Sequence, residues 1–160
     1  MNGQSNGVIS FVNTPSHEQR GDNNEIRVFN RRVWTGERWQ CVEYVRRYLL
    51  QTRGLTFPSI PNAYAIPHLQ SMMDIRRHTL HPVRWYPRSG SRSPPRAGDV
   101  IVFRDGPFGH VGMVHAVMDE TEGWLAIADQ NDQYGRYWES PSFAYVISRH
   151  HPSVLGWLRV

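Results

Sequence analysis

Residues 39–50 read Trp39-Gln40-Cys41-Val42-Glu43-Tyr44-Val45-Arg46-Arg47-Tyr48-Leu49-Leu50, and they form the strongest local pattern in this chain of 160 residues. Cys41, Val45 and Tyr48 fall on one stripe, at the spacing of a buried helical face. The pattern predicts an amphipathic helix that begins directly after Gln40.

Charged residues in the same stretch support the helix. Glu43 lies three and four residues before Arg46 and Arg47, which is the spacing of ion pairs on a solvated helix face. Gly54 follows the last periodic residue and is a typical helix stop. The predicted helix therefore ends near Gly54 and exposes these three charges.

Cys41 is the only cysteine of the chain, so an internal disulfide and a multi-cysteine metal site are excluded. The start of a helix presents unpaired N–H groups and positive partial charge. That environment stabilises a thiolate, the nucleophilic form of cysteine. A lone cysteine is more often a small buried hydrophobe. A catalytic role for Cys41 therefore depends on a base and an orienting group elsewhere in the chain.

Composition indicates one globular domain spanning residues 1–160, with 39% hydrophobic and 12% aromatic residues. No apolar run approaches the ~20 residues of a membrane span. Residues 1–6 lack the basic and apolar regions of a secretory signal. We therefore expect a protein made in the cytoplasm, from which lysis, a secretion machine or packaging into a virus particle could still deliver it.

The chain is basic, with 18 Arg and Lys residues against 14 acidic residues and a net charge of +4. An anionic partner is conceivable on this ground. Residues 88–96, rich in Arg, Ser and Pro, could form an anion-binding surface, although composition favours a solvated connector.

Besides the helix after Gln40, the sequence of the first half of the chain predicts few regular elements. We expect a short strand at residues 7–11, a polar loop at 13–24 and a second extended piece at 27–29 before a turn at 35–36. Pro67 is a suitable first-turn residue for a second helix that runs on to Arg77.

The second half of the chain has sequence patterns that are typical of β-strands. Short spacing and turn residues between them indicate an antiparallel sheet. The predicted fold is α+β, with N-terminal helices packed on an antiparallel sheet. The predicted strands are residues 83–86, 98–103, 109–117, 124–129, 143–147 and 154–158.

A cysteine nucleophile needs a base, and His110 is the best candidate among eight histidines. Gly109 precedes it and Gly112 follows, which leaves room for a chain element or a substrate beside the imidazole. On a strand, His115 faces away from His110. We therefore interpret His115 as structural and expect no two-histidine metal site.

The strand ending at Ala128 runs into Asp129, Gln130 and Asn131. Asp129 and Asn131 are two residues apart and share a face, whereas Gln130 points to the opposite side. Either of the first two could hydrogen-bond an imidazole on a neighbouring strand. Alone, each would be an ordinary strand-end residue.

Four motifs in order resemble the CHAP class of cysteine, histidine-dependent amidohydrolases and peptidases. The resemblance is nearest to the amidase domain of bifunctional glutathionylspermidine synthetase/amidase, and it extends to the outer segments 7–10 and 154–158. The motifs are Trp39-Gln40-Cys41-Val42-Glu43-Tyr44, Gly98-Asp99-Val100-Ile101-Val102, Gly109-His110-Val111-Gly112 and Ile127-Ala128-Asp129-Gln130-Asn131.

The resemblance implies a papain-like (NlpC/P60-like) fold, with Cys41 as nucleophile and His110 as base. The third member of the family's site is usually Glu followed by Asn after one residue, where this chain has Asp129 and Asn131; either could orient the histidine. By the same analogy, the Cys41 N–H and the Gln40 side chain would stabilise the oxyanion. Gly109 would help to bind the substrate. No metal and no organic cofactor is required.

Three functions follow as hypotheses. The first is a glutathionylspermidine-type amidase, which cleaves a small peptide–amine conjugate through a thioester. The second is a peptidoglycan hydrolase acting on cell-wall peptide, as a lysin, a delivered toxin or a virion component. The third is a non-catalytic binding or structural protein on the same fold. The sequence leaves the oligomeric state open.

Overall fold

The computed structural model describes residues 2–13, 21–132 and 138–160. These residues contain thirteen strands, one α-helix and one 3₁₀ helix. In chain order they are β1 (Gly3–Ser5), β2 (Val8–Ser10), β3 (Asn23–Val28), β4 (Arg31–Glu37), α1 (Cys41–Arg53), β5 (Leu55–Thr56), the 3₁₀ helix (Ala63–His68), β6 (Ser71–Asp74), β7 (Thr79–Pro82), β8 (Arg84–Pro87), β9 (Val100–Phe103), β10 (His110–Asp119), β11 (Trp124–Ala128), β12 (Tyr145–Ser148) and β13 (Val154–Arg159).

A six-stranded sheet in the order β12-β11-β10-β9-β13-β8 forms the framework of the chain. Every pairing in it is antiparallel. In its centre, His110 lies opposite Phe103 and Met113 lies opposite Ala128. The described part of the chain is therefore a mixed structure with few helices and mostly antiparallel strands, as the sequence predicts.

Helix α1 begins and ends where the sequence predicts. Gly54 caps it in the left-handed conformation (φ 71°) and donates its N–H to the Leu49 and Leu50 carbonyl oxygens. Val45 and Leu49 are fully buried in a core that includes Val111 of β10, and Cys41 is half-buried at its edge. Packing against the sheet therefore fixes the start of the helix close to the start of β10.

The prediction that Glu43 lies on a solvated face is wrong. Its side chain accepts hydrogen bonds from Asn24 (2.9 Å), Thr35 (2.9 Å), Arg47 (2.8 Å) and Gln130 (3.0 Å), and only 1% of the residue is exposed. Three of these partners lie far from Glu43 in sequence. A carboxylate can be buried in this way because its lone pairs are satisfied and an arginine neutralises it.

Removing this carboxylate should be costly. We expect Glu43→Ala to lower the free energy of unfolding by about 3–5 kcal/mol, because it leaves Arg47 charged and buried without its counter-ion. Glu25→Ala is the matched control, since its ion pair with Arg32 is solvent-exposed and such pairs contribute about 0–1 kcal/mol. Chemical denaturation of both variants measures the difference. Equal losses in the two variants would refute the buried-pair interpretation.

Arg46, also predicted to be solvated, is buried and holds two chain segments together. Its guanidinium donates to the backbone carbonyls of Thr35, Phe57 (3.1 Å) and Pro58 (3.0 Å), and it stacks on the Trp34 ring at 4.6 Å. Burial lowers its pKa to about 10, against the opposing effect of Glu43. Arg46 therefore remains charged at neutral pH and braces the wall formed by β4.

The predicted second helix from Pro67 to Arg77 is wrong. The chain instead forms the 3₁₀ helix, which ends at His68, and then the hairpin of β6 and β7. In the turn of this hairpin, the Asp74 side chain accepts two backbone N–H groups, and His78 adopts φ 58°. This side-chain-stabilised turn competes with helix formation.

The N-terminal predictions are confirmed only in part. Strand β2 lies within the expected residues 7–11, and β3 includes most of 27–29. The expected turn at 35–36 is wrong, because those residues belong to β4 and the hairpin turns at Phe29 and Asn30, both with positive φ. Strand β3 also begins inside the expected loop 13–24, of which residues 14–20 lie outside the described residues.

The Arg-rich segment 88–96 is fastened to the last strand. Arg159 donates to the Ser93 hydroxyl (2.7 Å), to the Pro94 carbonyl (2.7 Å) and to the Asp99 carboxylate (2.8 Å). These contacts fit a structural connector. Within the described residues, no helix has the length and apolar character needed to cross a membrane.

Candidate active site

Cys41 is the first residue of α1 and lines a cleft. The residue before it, Gln40, occupies the N-cap position but makes no capping hydrogen bond with its side chain. The first intrahelical bond runs from the Tyr44 N–H to the Gln40 carbonyl (3.1 Å). The N–H groups of the first turn are thus left without a side-chain cap beside the thiol.

His110 is the first residue of β10 and is only 5% exposed. Its Nε2 lies 2.7 Å from Asp129 Oδ2. Cys41 is close enough to raise the pKa of the His110 imidazole, and both residues line the same cleft. The three side chains therefore lie together, with His110 bonded directly to Asp129.

Glycine at position 112 lets Asp129 come close enough to His110. A Cβ built on Gly112 would lie 3.0 Å from the Ala128 carbonyl oxygen and 3.1 Å from the Asp129 Cβ. The Asp129 carbonyl is in turn fixed by hydrogen bonds from the Ser10 hydroxyl (2.9 Å) and the Trp138 indole (3.2 Å). A short carboxylate can thus reach the imidazole because the strands approach closely here.

The electrostatics of the site favour a protonated imidazole. Burial alone lowers the pKa of His110, but hydrogen bonds to Asp129 and Cys41, together with the charges of both groups, outweigh it. The pKa of His110 is therefore held well above its usual value of 6.5. The surroundings of His110 therefore stabilise its positively charged form.

Asn131 does not contact His110 by a hydrogen bond; its Nδ2 donates to Oε1 of Gln40 at 2.7 Å. The Gln130 side chain points the other way, as predicted, and donates to the Gln40 carbonyl (3.3 Å) and to Glu43 (3.0 Å). Of the two residues left open by the sequence, Asp129 contacts the histidine and Asn131 contacts Gln40, the residue before Cys41.

Gly109 lines the cleft beside His110 in a left-handed conformation (φ 69°). A Cβ there would lie 2.9 Å from the Tyr64 ring, so only glycine fits without displacing the ring. Its N–H donates to the Asp105 carbonyl (2.8 Å). Gly109 therefore shapes the cleft, and its own N–H is already used.

The cleft has a volume of about 780 Å³ and runs past both Cys41 and His110. Four acidic residues line it together with Arg46: Glu37, Glu43, Asp105 and Asp132. The cleft of this basic chain thus carries several carboxylates along its walls.

Some residues around the cleft had no local signal in the sequence. Tyr64 donates from its hydroxyl to the Gly106 carbonyl (2.8 Å) and holds the loop before His110. Trp34 also lines the cleft. Only contacts between distant segments reveal these two residues.

The remaining histidines lie away from the site as far as the structure describes them. His115 faces Ser5, with 2.8 Å between Nδ1 and Oγ. Within the described ranges, no three His, Cys, Asp or Glu side chains group closely enough to hold a metal ion. His17 lies outside the described residues. The other five histidines are exposed or half-buried: His68, His78, His81, His150 and His151.

Comparison with known proteins places this chain in a family. The CHAP domain family matches residues 32–131, more than half of the chain, and both Cys41 and His110 lie in that segment. The chain is 30% identical to trypanothione synthetase of Crithidia fasciculata over 144 residues, which cover 90% of this chain and 21% of that protein.

The chain is also similar in sequence to two further proteins. Bifunctional glutathionylspermidine synthetase/amidase of Escherichia coli (strain K12) is 28% identical over 98 residues, covering 61% of this chain and 16% of that protein. Glutathionylspermidine synthase of Crithidia fasciculata is 27% identical over 140 residues, covering 78% and 19%. The chain thus spans roughly a fifth of the length of these relatives.

Proposed function

Because the chain belongs to the CHAP domain family, we propose that it is a cysteine amidohydrolase of papain-like architecture. The observation that carries this proposal is that Cys41 and His110 line one cleft while His110 is bonded to Asp129 at 2.7 Å. A nucleophile, a base and a group that orients the base are the three parts that such catalysis needs.

The first half of the reaction forms a thioester. The Cys41 thiolate attacks the carbonyl carbon of an amide, and the negative charge moves to the carbonyl oxygen. The N–H of Cys41 and the side-chain amide of Gln40 donate to this oxyanion. As the C–N bond breaks, His110 gives its proton to the departing amine, which leaves the acyl group on Sγ.

The second half releases the acid. His110, now neutral, takes a proton from water as the water oxygen attacks the thioester carbon. The C–S bond breaks, and the thiolate and the imidazolium are restored. Asp129 holds the ring in one orientation and stabilises its positive charge throughout.

The walls of the cleft support an amine conjugate as substrate. Glu37, Asp105 and Asp132 line the cleft, and carboxylates concentrated in a cleft attract cations to it. A peptide joined to a polyamine carries positive charge on the amine side of its scissile bond. We therefore propose a glutathionylspermidine-type substrate, in keeping with the names of the relatives.

A second candidate is peptidoglycan hydrolysis. The net charge of +4 favours adsorption to an anionic polymer such as a cell wall. The charges of the cleft and the charges of the whole chain thus favour different substrates, and an assay must decide between them.

The deciding assay offers wild-type protein glutathionylspermidine and purified peptidoglycan in parallel. It measures released spermidine in the first case and newly exposed amino groups of wall peptides in the second. Protein blocked with iodoacetamide at Cys41, the only cysteine, is the blank. We expect spermidine release that is absent from the blank.

The other outcomes also discriminate. New wall-peptide ends without spermidine release would replace the first substrate by the second. Cleavage of neither substrate, together with slow labelling of Cys41, would indicate the non-catalytic alternative.

A further inference from the structure

We propose that Asn131 is a positioning residue for the oxyanion donor Gln40, rather than for His110. The inference rests on the proposed function, since it concerns the same reaction. It assigns the two polar residues at the end of β11 to different halves of the site: Asp129 holds the base, and Asn131 orients the group that stabilises the transition state.

The direction of one hydrogen bond carries the argument. The Asn131 Nδ2 group can only donate, and it donates to Oε1 of Gln40 at 2.7 Å. With Oε1 occupied, the amide plane of Gln40 is fixed and its Nε2 group is directed elsewhere. Among the described residues, no other side chain hydrogen-bonds the Gln40 amide, which lines the cleft with Cys41. The Nε2 donor is thus available to a carbonyl oxygen of the substrate.

The backbone of Gln40 is held as firmly as its side chain. Its carbonyl accepts from the Tyr44 N–H (3.1 Å) and from the Gln130 side chain (3.3 Å). Gln130 also donates to the buried Glu43 carboxylate (3.0 Å). A donor aimed in advance at the developing charge is what makes an oxyanion hole effective.

The N-cap position of Gln40 supports the assignment. A side chain at this position usually accepts an N–H of the first helical turn, but Gln40 makes no such bond. Its amide is turned to Asn131 instead. Capping α1 therefore does not explain the orientation of this side chain.

Two substitutions test the direction of the bond without straining the backbone. Asn131 has φ 58°, a conformation that Asp and Gly also tolerate. In Asn131→Asp the new carboxylate can only accept, so the Gln40 amide must turn and present its oxygen to the oxyanion. In Asn131→Gly the amide merely loses its anchor.

The expected result is an order of effects. Asn131→Asp should lower kcat for amide hydrolysis by about 10²–10³-fold, the usual effect of losing one oxyanion donor, and Asn131→Gly should lower it less. In a Gln40→Ala background, Asn131→Asp should cause little further loss, because its target is gone. Asn30→Asp is the matched control, since Asn30 is an exposed turn residue with φ 61°.

Alkylation separates this role from a general disturbance of the site. Iodoacetamide reacts with the Cys41 thiolate without forming an oxyanion, so its rate reports only the thiolate and the imidazolium. We expect both Asn131 variants to be labelled at close to the wild-type rate while their amide hydrolysis falls.

Each result bears on a distinct claim. Parallel loss of hydrolysis and labelling in the Asn131 variants, or full activity in Asn131→Asp, would overturn the positioning role and leave the proposed function intact. A wild-type protein that hydrolyses no amide would overturn the proposed function, and this inference with it.

Discussion

Replacing Cys41 with alanine is expected to reduce amide hydrolysis about 10⁶-fold, as removal of a catalytic nucleophile does in other hydrolases. The reason is chemical: the chain has no second cysteine, and among the described residues no hydroxyl side chain hydrogen-bonds His110 to take over the attack. Alanine also favours helix formation, so α1 should be preserved. The measurement is kcat/KM for the cleaved substrate.

The loss of activity identifies the nucleophile only if the Cys41→Ala variant is correctly folded. The thermal unfolding temperature and the circular dichroism spectrum of Cys41→Ala should match those of the wild type. His115→Ala is a useful second control, because it removes a histidine that bonds Ser5 and not the site. Retention of a tenth or more of the wild-type rate in well-folded Cys41→Ala would contradict the assignment of the nucleophile.

Replacing Asp129 with asparagine should lower kcat/KM by about 10²–10⁴-fold and move its alkaline limb to lower pH. In the wild type, hydrogen bonds and negative charge from Asp129 and Cys41 hold the pKa of His110 high against burial. Asparagine removes one of these charges and leaves the burial. In the proposed mechanism the imidazolium protonates the departing amine, and this charged form is then lost at a lower pH.

The raised pKa of His110 in the wild type also makes the stability of the fold depend on pH. Because the pKa of His110 is higher in the folded than in the unfolded protein, its protonation stabilises the fold fully below about pH 6.5, and this contribution disappears as the pH rises through the folded pKa.

Asp99→Asn is the matched control for Asp129→Asn, since Asp99 is an equally buried aspartate (3% exposed) that binds Arg159. An alkaline limb unchanged in Asp129→Asn would exclude this role for the carboxylate.

Local patterns predict those parts of the fold that local chemistry determines. The α1 helix follows from its apolar stripe and from Gly54, which takes the left-handed conformation that glycine allows. The strands of the second half follow from alternation and turn residues. His110 could be selected because glycines flank it, and Gly112 indeed makes room for the end of β11.

The failures have physical causes that local patterns do not contain. Met72 and Met73 lie inside the predicted second helix, but one is buried and the other exposed, as on a strand, and the Asp74 turn completes the hairpin. The sequence predicts a solvated Glu43 because its spacing to two arginines is typical of ion pairs on the surface of a helix. Its burial depends on Asn24 and Gln130, which only the folded chain brings together.

The most direct test of the central claim, a reactive thiolate paired with His110, is the rate of iodoacetamide labelling at about pH 6. Free thiols have a pKa near ~8.5 and react slowly there. Mass spectrometry needs no site mapping, because Cys41 is the only cysteine. We expect labelling on the order of ten- to a hundredfold faster than that of glutathione, and a return to the glutathione rate in His110→Ala. Labelling of the wild type no faster than glutathione at this pH would contradict the account.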